Sequence, residues 1–250
     1  MSIAPQARAG VLAHRRTCCV CQSDLNTLTT SLQTWYKPLV ERQTAVVNVQ
    51  AHWERIYREK APDALSWYRP HLETSLSLLL RFVSDRTASV IDVGGGESTL
   101  VDDWLQQGFQ KITILDVSRA AIDVNKSRLG ERAEHVHWIV ADITQVQLEA
   151  RAYDLWHDRA LFHFLTAPEQ RAAYIRQVTR SVKSAGHVIV STFGPEGPAK
   201  CSGLDVVRYD ADSLCDEFGR GFRLLESSTE IHQTPFGTAQ QFLYCCFLVE

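Results

Sequence analysis

The chain has 250 residues, of which 45% are hydrophobic and 22% charged, and its formal net charge is −3. This composition is typical of a globular protein with one sizeable core. The charge gives no general attraction to nucleic acid or anionic membranes, and no apolar run approaches the roughly 20 residues that span a bilayer. Seven cysteines, an odd number, do not indicate a disulfide framework. We therefore predict a cytoplasmic protein with no nucleic-acid or membrane partner.

Residues 1–45 show no clear hydrophobic period, and we predict a partly disordered N-terminal extension there. This extension contains Cys18, Cys19 and Cys21. Their spacing lacks the paired C-x-x-C motifs of a structural zinc site, so no metal is predicted.

Residues 46–86 are predicted to form a helical lid. Trp53 and Tyr57 are four residues apart, as on one face of a helix. Pro62 interrupts this pattern, and residues 72–83 have the pattern of a second helix leading into the core. The segment between the two helices contains Trp67 and Tyr68, which Pro70 follows closely.

From residue 88 onward, short apolar runs alternate with amphipathic segments. The predicted strands are 88–93, 111–117, 135–143, 153–160, 187–194, 222–231 and 239–249, and the predicted helices are 98–108, 119–130, 166–186 and 210–218. Ser118 is suited to cap the second of these helices, and Thr166 with Glu169 has the spacing of a capping box for the third. This alternation predicts an α/β fold with a mostly parallel sheet and helices on both faces. The short connection at 234–237 predicts an antiparallel final pair.

A glycine-rich loop, Asp92-Val93-Gly94-Gly95-Gly96-Glu97-Ser98, follows the first predicted strand. Gly94 and Gly96 satisfy the first two positions of the dinucleotide fingerprint, but Thr99 stands where the third glycine belongs. No Gly-Lys-Ser/Thr follows, so the loop does not match the triphosphate-binding P-loop. An NAD(P)-dependent oxidoreductase therefore remains only as an alternative.

Acidic residues end three successive predicted strands: Asp92, Asp116 and Asp142. The switch-point rule places ligands at the carboxyl ends of such strands, and an acid after the second strand is suited to bind ribose hydroxyls. Asp142 is suited to accept a hydrogen bond from an adenine amine, whereas Asp92 would repel a pyrophosphate. Together the acids favour a ligand with a ribose, an adenine and a positive charge, namely S-adenosylmethionine.

The region from about residue 53 to 249 resembles the class I S-adenosylmethionine-dependent methyltransferases. The resemblance lies in the stretches VIDVGGGES, ITILDVS, VADI and YDLWHDRALFHFL. The family's loop has the pattern acid-x-Gly-x-Gly-x-Gly, and Ser98 replaces the last glycine here. The resemblance implies a Rossmann-like, seven-stranded, mostly parallel sheet with an antiparallel last strand, in a methyltransferase domain spanning 87–250. It also implies S-adenosyl-L-methionine as the cofactor.

In the family, the glycine loop packs under the methionine moiety of the cofactor. The acid that matches Asp116 binds the ribose, and the acid that matches Asp142 reaches the adenine. The residues that we expect to bind the cofactor are Asp92, Gly94, Gly95, Gly96, Ser98, Asp116, Val117, Ser118, Asp142 and Ile143.

The segment after the fourth strand faces the methyl group in this family. Here it lacks the Asn/Asp-Pro-Pro-aromatic motif of base-amine methyltransferases, so methylation of DNA bases is not expected. Asp158 and Arg159 resemble the Asp-Lys/Arg pair of lysine methyltransferases that act on elongation factors and of related small-molecule enzymes. Asp158 is a candidate to orient an amine or the cofactor's ammonium, and Arg159 a candidate to bind the acceptor. Alternatively, the two form a local ion pair.

Two histidines, His157 and His163, are expected near the same pocket. Either is a candidate general base, because imidazole titrates near neutrality. The alternative for each is a buried, hydrogen-bonded structural role. Trp67 and Tyr68 are candidates for the acceptor site, since an aromatic face attracts a sulfonium or a methylated ammonium. The alternative is that they only pack the lid on the sheet.

The loop after the fifth strand commonly shapes the acceptor pocket in this fold. Cys201 lies in it and is suited to a soft acceptor such as a thiol or metalloid, or else has no special role. Arg208 is a candidate to bind an acidic acceptor.

We expect a methyltransferase that transfers a methyl group from S-adenosyl-L-methionine to a small-molecule acceptor, because a lid would close the pocket. A protein-lysine methyltransferase is the main alternative. Less favoured are the oxidoreductase and a catalytically inactive cofactor-binding partner.

Overall fold

A computed structural model describes residues 48–250. These residues belong to one unit of the chain, Val47–Glu250, as defined by internal contacts. The predicted N-terminal extension and its three cysteines lie outside the described residues. No helix in 48–250 combines the length and the apolar character that crossing a membrane requires.

Two helices precede the sheet, as the sequence predicts. Helix α1 (Val49–Glu59) begins after Asn48, whose side chain accepts a hydrogen bond from the helix, and ends shortly before Pro62. Its buried side chains lie on one face and are Trp53, Ile56 and Tyr57. Helix α2 (Glu73–Phe82) follows after a connection that contains a short 3-10 turn.

A seven-stranded sheet forms the centre of the fold, in the order β3-β2-β1-β4-β5-β9-β8. Its strands are β1 (Ser89–Val93), β2 (Lys111–Asp116), β3 (Val136–Val140), β4 (Tyr153–Arg159), β5 (Val182–Phe193), β8 (Phe222–Gln233) and β9 (Ala239–Val249). The pairs from β3 to β5 are parallel, whereas β9 runs antiparallel to both of its neighbours. This topology confirms the predicted fold class. The two-residue strands β6 (Lys200–Cys201) and β7 (Leu204–Asp205) form a separate hairpin.

Helices cover both faces of the sheet. The remaining helices are α3 (Leu100–Gln106), α4 (Arg119–Leu129), α5 (Pro168–Ser181) and α6 (Ala211–Phe218). One apolar cluster joins the sheet to α2, α3 and α4 through side chains such as Leu79, Trp104 and Ile122. A second cluster, on the other face, contains Tyr174 of α5 and Phe218 of α6.

The predicted start of α5 is wrong by two residues. The helix begins after Ala167, whose N–H donates to Gln170 Oε1 at 3.2 Å. Thr166 and Glu169 therefore do not form the predicted capping box, because the chain becomes helical only at the proline after Ala167.

The predicted end of α5 is also wrong, because the helix stops at Ser181 rather than at Gly186. Residues from Val182 already belong to β5, which pairs irregularly with β4 at this point. A Cβ at Gly186 would lie 2.6 Å from Val182 Cγ1 and 2.8 Å from the Lys183 carbonyl oxygen. The glycine is therefore needed for close packing inside an irregular strand and not as a helix stop.

Candidate cofactor and acceptor site

A large pocket lies at the carboxyl ends of β1, β2 and β3 and extends beneath α1. Its empty volume is about 1350 Å³, including the open mouth. The sheet contributes Asp92, Gly94, Gly95, Gly96, Glu97, Ser98, Asp116, Val117, Asp142 and Ile143. The lid and the loops after β4 and β5 contribute Trp53, Tyr57, Leu65, Trp67, Tyr68, Phe164, Cys201 and Leu204. Of the ten residues predicted to bind the cofactor, Ser118 alone is not part of this lining.

The glycine loop presents bare main chain to the pocket. Gly94 and Gly96 have φ angles of 71° and 51°, which residues other than glycine rarely adopt. A Cβ at Gly94 would lie 2.6 Å from Leu161, and a Cβ at Gly96 would lie 2.5 Å from the Tyr57 hydroxyl. Neither position therefore has room for a side chain.

Asp116 is held in a fixed orientation by the two main-chain segments beside it. Its Oδ2 accepts a hydrogen bond from the Gly96 N–H at 2.9 Å, and its Oδ1 accepts one from the Ser118 N–H at 2.8 Å. Burial raises the pKa of this carboxyl to about 6. A carboxylate can accept further hydrogen bonds on its other lone pairs, so Asp116 is suited to bind a pair of hydroxyls.

Ser118 acts at the start of α4 rather than in the pocket. Its hydroxyl accepts from the Ala121 N–H at 3.3 Å, which confirms the predicted helix cap. The same hydroxyl donates to the carboxylate of Glu54 in α1 at 2.7 Å, and that carboxylate also accepts from the Ala120 N–H at 3.2 Å. The lid helix is therefore attached to the turn that carries Asp116.

A buried chain of hydrogen bonds runs from the floor of the pocket to its far end. Asp92 Oδ1 lies 2.7 Å from His157 Nδ1, and His157 Nε2 lies 2.9 Å from Ser75 Oγ. Ser75 Oγ lies 3.3 Å from the Tyr244 hydroxyl, which accepts from Arg159 Nε at 3.1 Å. When the His157 imidazole is neutral and donates to Asp92, the Ser75 hydroxyl donates to His157 and the Tyr244 hydroxyl donates to Ser75. Both nitrogens of His157 are thus bonded to protein groups.

The match to known proteins is to methyltransferases. Residues 90–186 match a family model described as a methyltransferase domain. The fold resembles the crystal structure of the 1,6-didemethyltoxoflavin-N1-methyltransferase of Burkholderia thailandensis, with a TM-score of 0.57 and 16% identity over 78% of this chain and 80% of that one. Together these matches support a class I S-adenosylmethionine-dependent methyltransferase, with the methyltransferase domain at residues 90–186.

Two relatives of this methyltransferase carry names that include an acceptor. The eEF1A lysine and N-terminal methyltransferase of Mus musculus is 25% identical over 138 residues, which cover 55% of this chain and 19% of that protein. The chain therefore matches about a fifth of that relative's length. The EEF1A lysine methyltransferase 2 of Homo sapiens is 23% identical over 199 residues, which cover 73% of this chain and 77% of that protein.

The cofactor of this methyltransferase is S-adenosyl-L-methionine, and the pocket fits it. The crowding around Gly94 and Gly96 leaves bare main chain as part of the pocket surface, and two main-chain donors orient the Asp116 carboxylate. Asp142 lines the same pocket. Its carboxylate accepts from the Thr144 N–H at 2.8 Å and from Gln145 at 3.0 Å, which fixes the turn.

Glu97 is a pocket residue that the sequence analysis did not single out. It is 5% exposed, and neither carboxylate oxygen has a hydrogen-bond partner among the described residues. Burial raises the pKa of this carboxyl to about 7, although Arg128 nearby opposes the shift. Arg128 donates to the carbonyl of Glu97 and not to its carboxylate. In the sequence, the feature of Glu97 that points to the pocket is its position between Gly96 and Ser98 in the glycine-rich loop.

Asp158 faces away from the pocket of the methyltransferase. Its carboxylate accepts from the Leu161 N–H at 2.9 Å, the Phe162 N–H at 3.1 Å and the Tyr174 hydroxyl at 2.7 Å. Burial raises its pKa to about 7. Successive residues of a strand point to opposite faces, so Asp158 turns toward α5 while His157 and Arg159 turn toward the pocket. Asp158 and Arg159 therefore do not form the ion pair considered as an alternative.

His163 also lies outside the pocket lining. Its Nδ1 accepts from the Phe193 N–H at 3.1 Å, and its ring packs between Phe164 and Phe193. Burial lowers its pKa to about 3, and the Arg159 cation contributes to the shift. This geometry corresponds to the structural alternative, because a neutral ring bonded to β5 cannot reach an acceptor.

The aromatic candidates line the pocket, and Trp67 also packs against the lid helix. Trp53 packs edge to face against Phe164 at 5.0 Å and against Trp67 at 5.8 Å, measured between ring centroids. Trp67 and Tyr68 also line the pocket. Packing of the lid on the sheet and formation of the pocket wall are therefore achieved by the same rings.

Of the two candidates after β5, one lies in the pocket and the other does not. Cys201 lines the pocket and is buried, and burial raises the pKa of its thiol to about 11. Arg208 lies outside the lining. Its guanidinium donates to the carbonyl oxygens of Pro195 at 3.0 Å and Gly197 at 3.3 Å. Arg208 therefore holds the loop together, and its charge does not reach an acceptor here.

Proposed function

We propose that this methyltransferase transfers the methyl group of S-adenosyl-L-methionine to a small-molecule acceptor. The observation that carries the proposal is the covered, aromatic end of the pocket. Trp53 and Trp67 pack over this end from the lid, and Phe164, in the segment after β4, packs against Trp53. The Glu54–Ser118 hydrogen bond supports a lid that is docked on the domain.

We assign the sheet half of the pocket to the cofactor. Asp116 would accept from the ribose hydroxyls, Asp142 and Ile143 would contact the adenine, and the main chain of Gly94 and Gly96 would lie under the methionine moiety. The support is that these residues line one pocket and that Asp116 is oriented by two main-chain donors.

The bound cofactor supplies an activated methyl group on a sulfonium, and its transfer is an in-line displacement. We assign positioning and the exclusion of water to this chain, rather than proton abstraction. Both nitrogens of His157 are bonded to other residues, and His163 lies outside the pocket. An acceptor whose nucleophilic atom has a free lone pair at neutral pH suits such a site best.

A protein lysine is the second candidate acceptor. The names of the two relatives favour it. Trp67 and Tyr68 line the pocket, so we expect a lysine side chain on a protein to require a more open lid than the one described here.

Transfer of a labelled methyl group into cell extract tests the proposal. Purified protein and methyl-labelled S-adenosylmethionine are added to an extract that is separated into metabolite and protein fractions. We expect label in the metabolite fraction, and none with an Asp116→Asn variant. Label confined to protein would support the lysine candidate, and no transfer would indicate an inactive binding protein. A thermal shift with NAD(H), but not with S-adenosylhomocysteine, would contradict the assignment of the pocket.

A further inference from the structure

Arg159 is the best-fixed cation in the lining of the pocket. Its Nε donates to the Tyr244 hydroxyl at 3.1 Å and its Nη1 donates to the Trp67 carbonyl at 3.2 Å. The guanidinium carbon lies 4.3 Å from the centre of the Phe242 ring, and the side chain is 5% exposed. Two hydrogen bonds and a stacking contact therefore hold the plane of this guanidinium.

The third nitrogen of Arg159 is different, because Nη2 has no hydrogen-bond partner among the described residues. The carboxylate of Glu230 lies 3.9 Å from it, close enough for attraction but too far for a hydrogen bond. Glu230 is also shared with Arg69 at 3.4 Å and with the Thr74 hydroxyl. A buried charged donor without an acceptor is costly, so this nitrogen is suited to a ligand.

The neighbours of Arg159 distinguish this end of the pocket from the sheet end. Trp67 and Phe164 are apolar walls, and the Cys201 thiol is neutral at pH 7 because burial raises its pKa to about 11. The acids of the lining belong to the glycine loop and to the ends of β1, β2 and β3. At the lid end, Arg159 and Arg69 thus face a single shared carboxylate, that of Glu230.

We infer that the acceptor carries a carboxylate and that Nη2 of Arg159 binds it. This inference rests on the proposed small-molecule function and names the acceptor class. Guanidinium and carboxylate form strong, charge-assisted hydrogen bonds, and the fixed plane of Arg159 reduces the entropy lost on binding. An ammonium acceptor would be repelled at the same place. The carboxylate anchors the acceptor, and the methylated atom lies elsewhere on it or on the carboxylate itself.

The first test uses the wild-type protein and does not depend on any variant. A metabolite extract is passed over a strong anion-exchange resin at pH 8, and each fraction is supplied with labelled S-adenosylmethionine. We expect methyl transfer with the retained fraction. Transfer only with the unretained fraction would overturn the inference while leaving the proposed function intact. Transfer into protein alone would overturn the proposed function, and with it the inference.

The second test separates an acceptor anchor from an anchor for the cofactor's own carboxylate. S-adenosylhomocysteine has that carboxylate, and 5′-methylthioadenosine lacks the whole amino-acid moiety. We expect Arg159→Gln to bind both as wild type does, and to lower kcat/KM for the retained acceptor fraction roughly 10- to 100-fold through KM. Weaker binding of S-adenosylhomocysteine alone would instead assign Arg159 to the cofactor and overturn the inference.

Two further variants keep the test valid if Arg159→Gln does not fold. Arg159→Lys retains the charge but loses the planar fork, and we expect a smaller rise in KM than with Arg159→Gln. Glu230→Gln removes the competing carboxylate, and we expect KM for the anionic acceptor to fall about threefold. Arg180→Gln, on the exposed side of α5, is the matched control and should change neither value. A rise in KM with Glu230→Gln would contradict the inference.

Discussion

The sheet half and the lid half of the pocket are built in different ways. In the sheet half, consecutive residues of short loops present main chain and carboxylates, as Gly94, Gly96 and Asp116 show. In the lid half, the contacts of Arg159 join distant parts of the chain: this residue reaches Trp67 across 92 positions and Tyr244 across 85. The half that we assign to the cofactor is therefore encoded locally, and the half that we assign to the acceptor depends on tertiary packing.

The largest expected effect is on the sheet half. Asp116→Asn removes a charge that would accept from two ribose hydroxyls, so we expect the Kd of S-adenosylhomocysteine to rise at least about 100-fold, or about 3 kcal/mol. Calorimetric titration measures this change. Asp123→Asn, which is exposed on α4, should bind as the wild type does. An unchanged Kd in Asp116→Asn would remove the distinction between the two halves.

A second substitution tests how strictly the loop requires bare main chain. Gly96→Ala places a Cβ at positive φ and against the Tyr57 hydroxyl, so we expect the free energy of unfolding to fall by about 2 kcal/mol. Urea unfolding measures it. Combining the change with Tyr57→Phe should recover the part caused by the clash, but not the part caused by φ. A fully additive pair would show that the lid does not press on the loop.

The fold and the sheet half could be predicted from the sequence because their signals are local. Strand–helix alternation gave the topology, and the strand-end acids line one pocket because parallel strands end at the same edge. The role of Ser118 as a helix cap followed from its place before an amphipathic segment.

The lid half could not be predicted with the same success. Alternation along β4 separates Asp158 from Arg159, but the sequence does not show which face the pocket occupies. Burial of His163 and the bonds of Arg208 to loop carbonyls arise only in the folded chain. The same holds for Arg159 Nη2, which has no hydrogen-bond partner within residues 48–250, since an absent contact leaves no sequence pattern.

A smaller effect should distinguish Glu97 from the other acids. Its folded-state pKa is about 7, against 4.5 for an unperturbed glutamate. The folded protein thus holds this proton more tightly than the unfolded chain, and the resulting stability is lost as pH rises from about 4.5 through 7. We expect Glu97→Gln to gain about 1 kcal/mol over wild type between pH 5 and pH 8, allowing for solvent screening.

Thermal unfolding of the ligand-free protein at the two pH values measures this difference, as a shift of about 2–4 °C. Glu134→Gln, an exposed substitution, should show no pH-dependent gain. Equal pH dependence in Glu97→Gln and wild type would mean that its carboxylate is not buried in solution.

The smallest effect is expected at Cys201, in the lid half. Its thiol is protonated at pH 7 because burial raises the pKa to about 11, so we expect slow reaction with iodoacetamide in the folded protein. Peptide mass spectrometry should show faster labelling of the half-buried Cys215. Cys201→Ala should change the Kd of S-adenosylhomocysteine less than about twofold, under 0.5 kcal/mol. A larger change would extend the cofactor's contacts into the lid half.

One hydroxyl joins the two halves. Ser118 donates its side chain to Glu54 of α1 and its main-chain N–H to Asp116. If the turn that carries Asp116 and Ser118 moves to release S-adenosylhomocysteine, the hydrogen bond that holds α1 is therefore weakened as well. We therefore expect α1 to undock in each catalytic cycle, and departure of S-adenosylhomocysteine, rather than methyl transfer, to set the turnover rate.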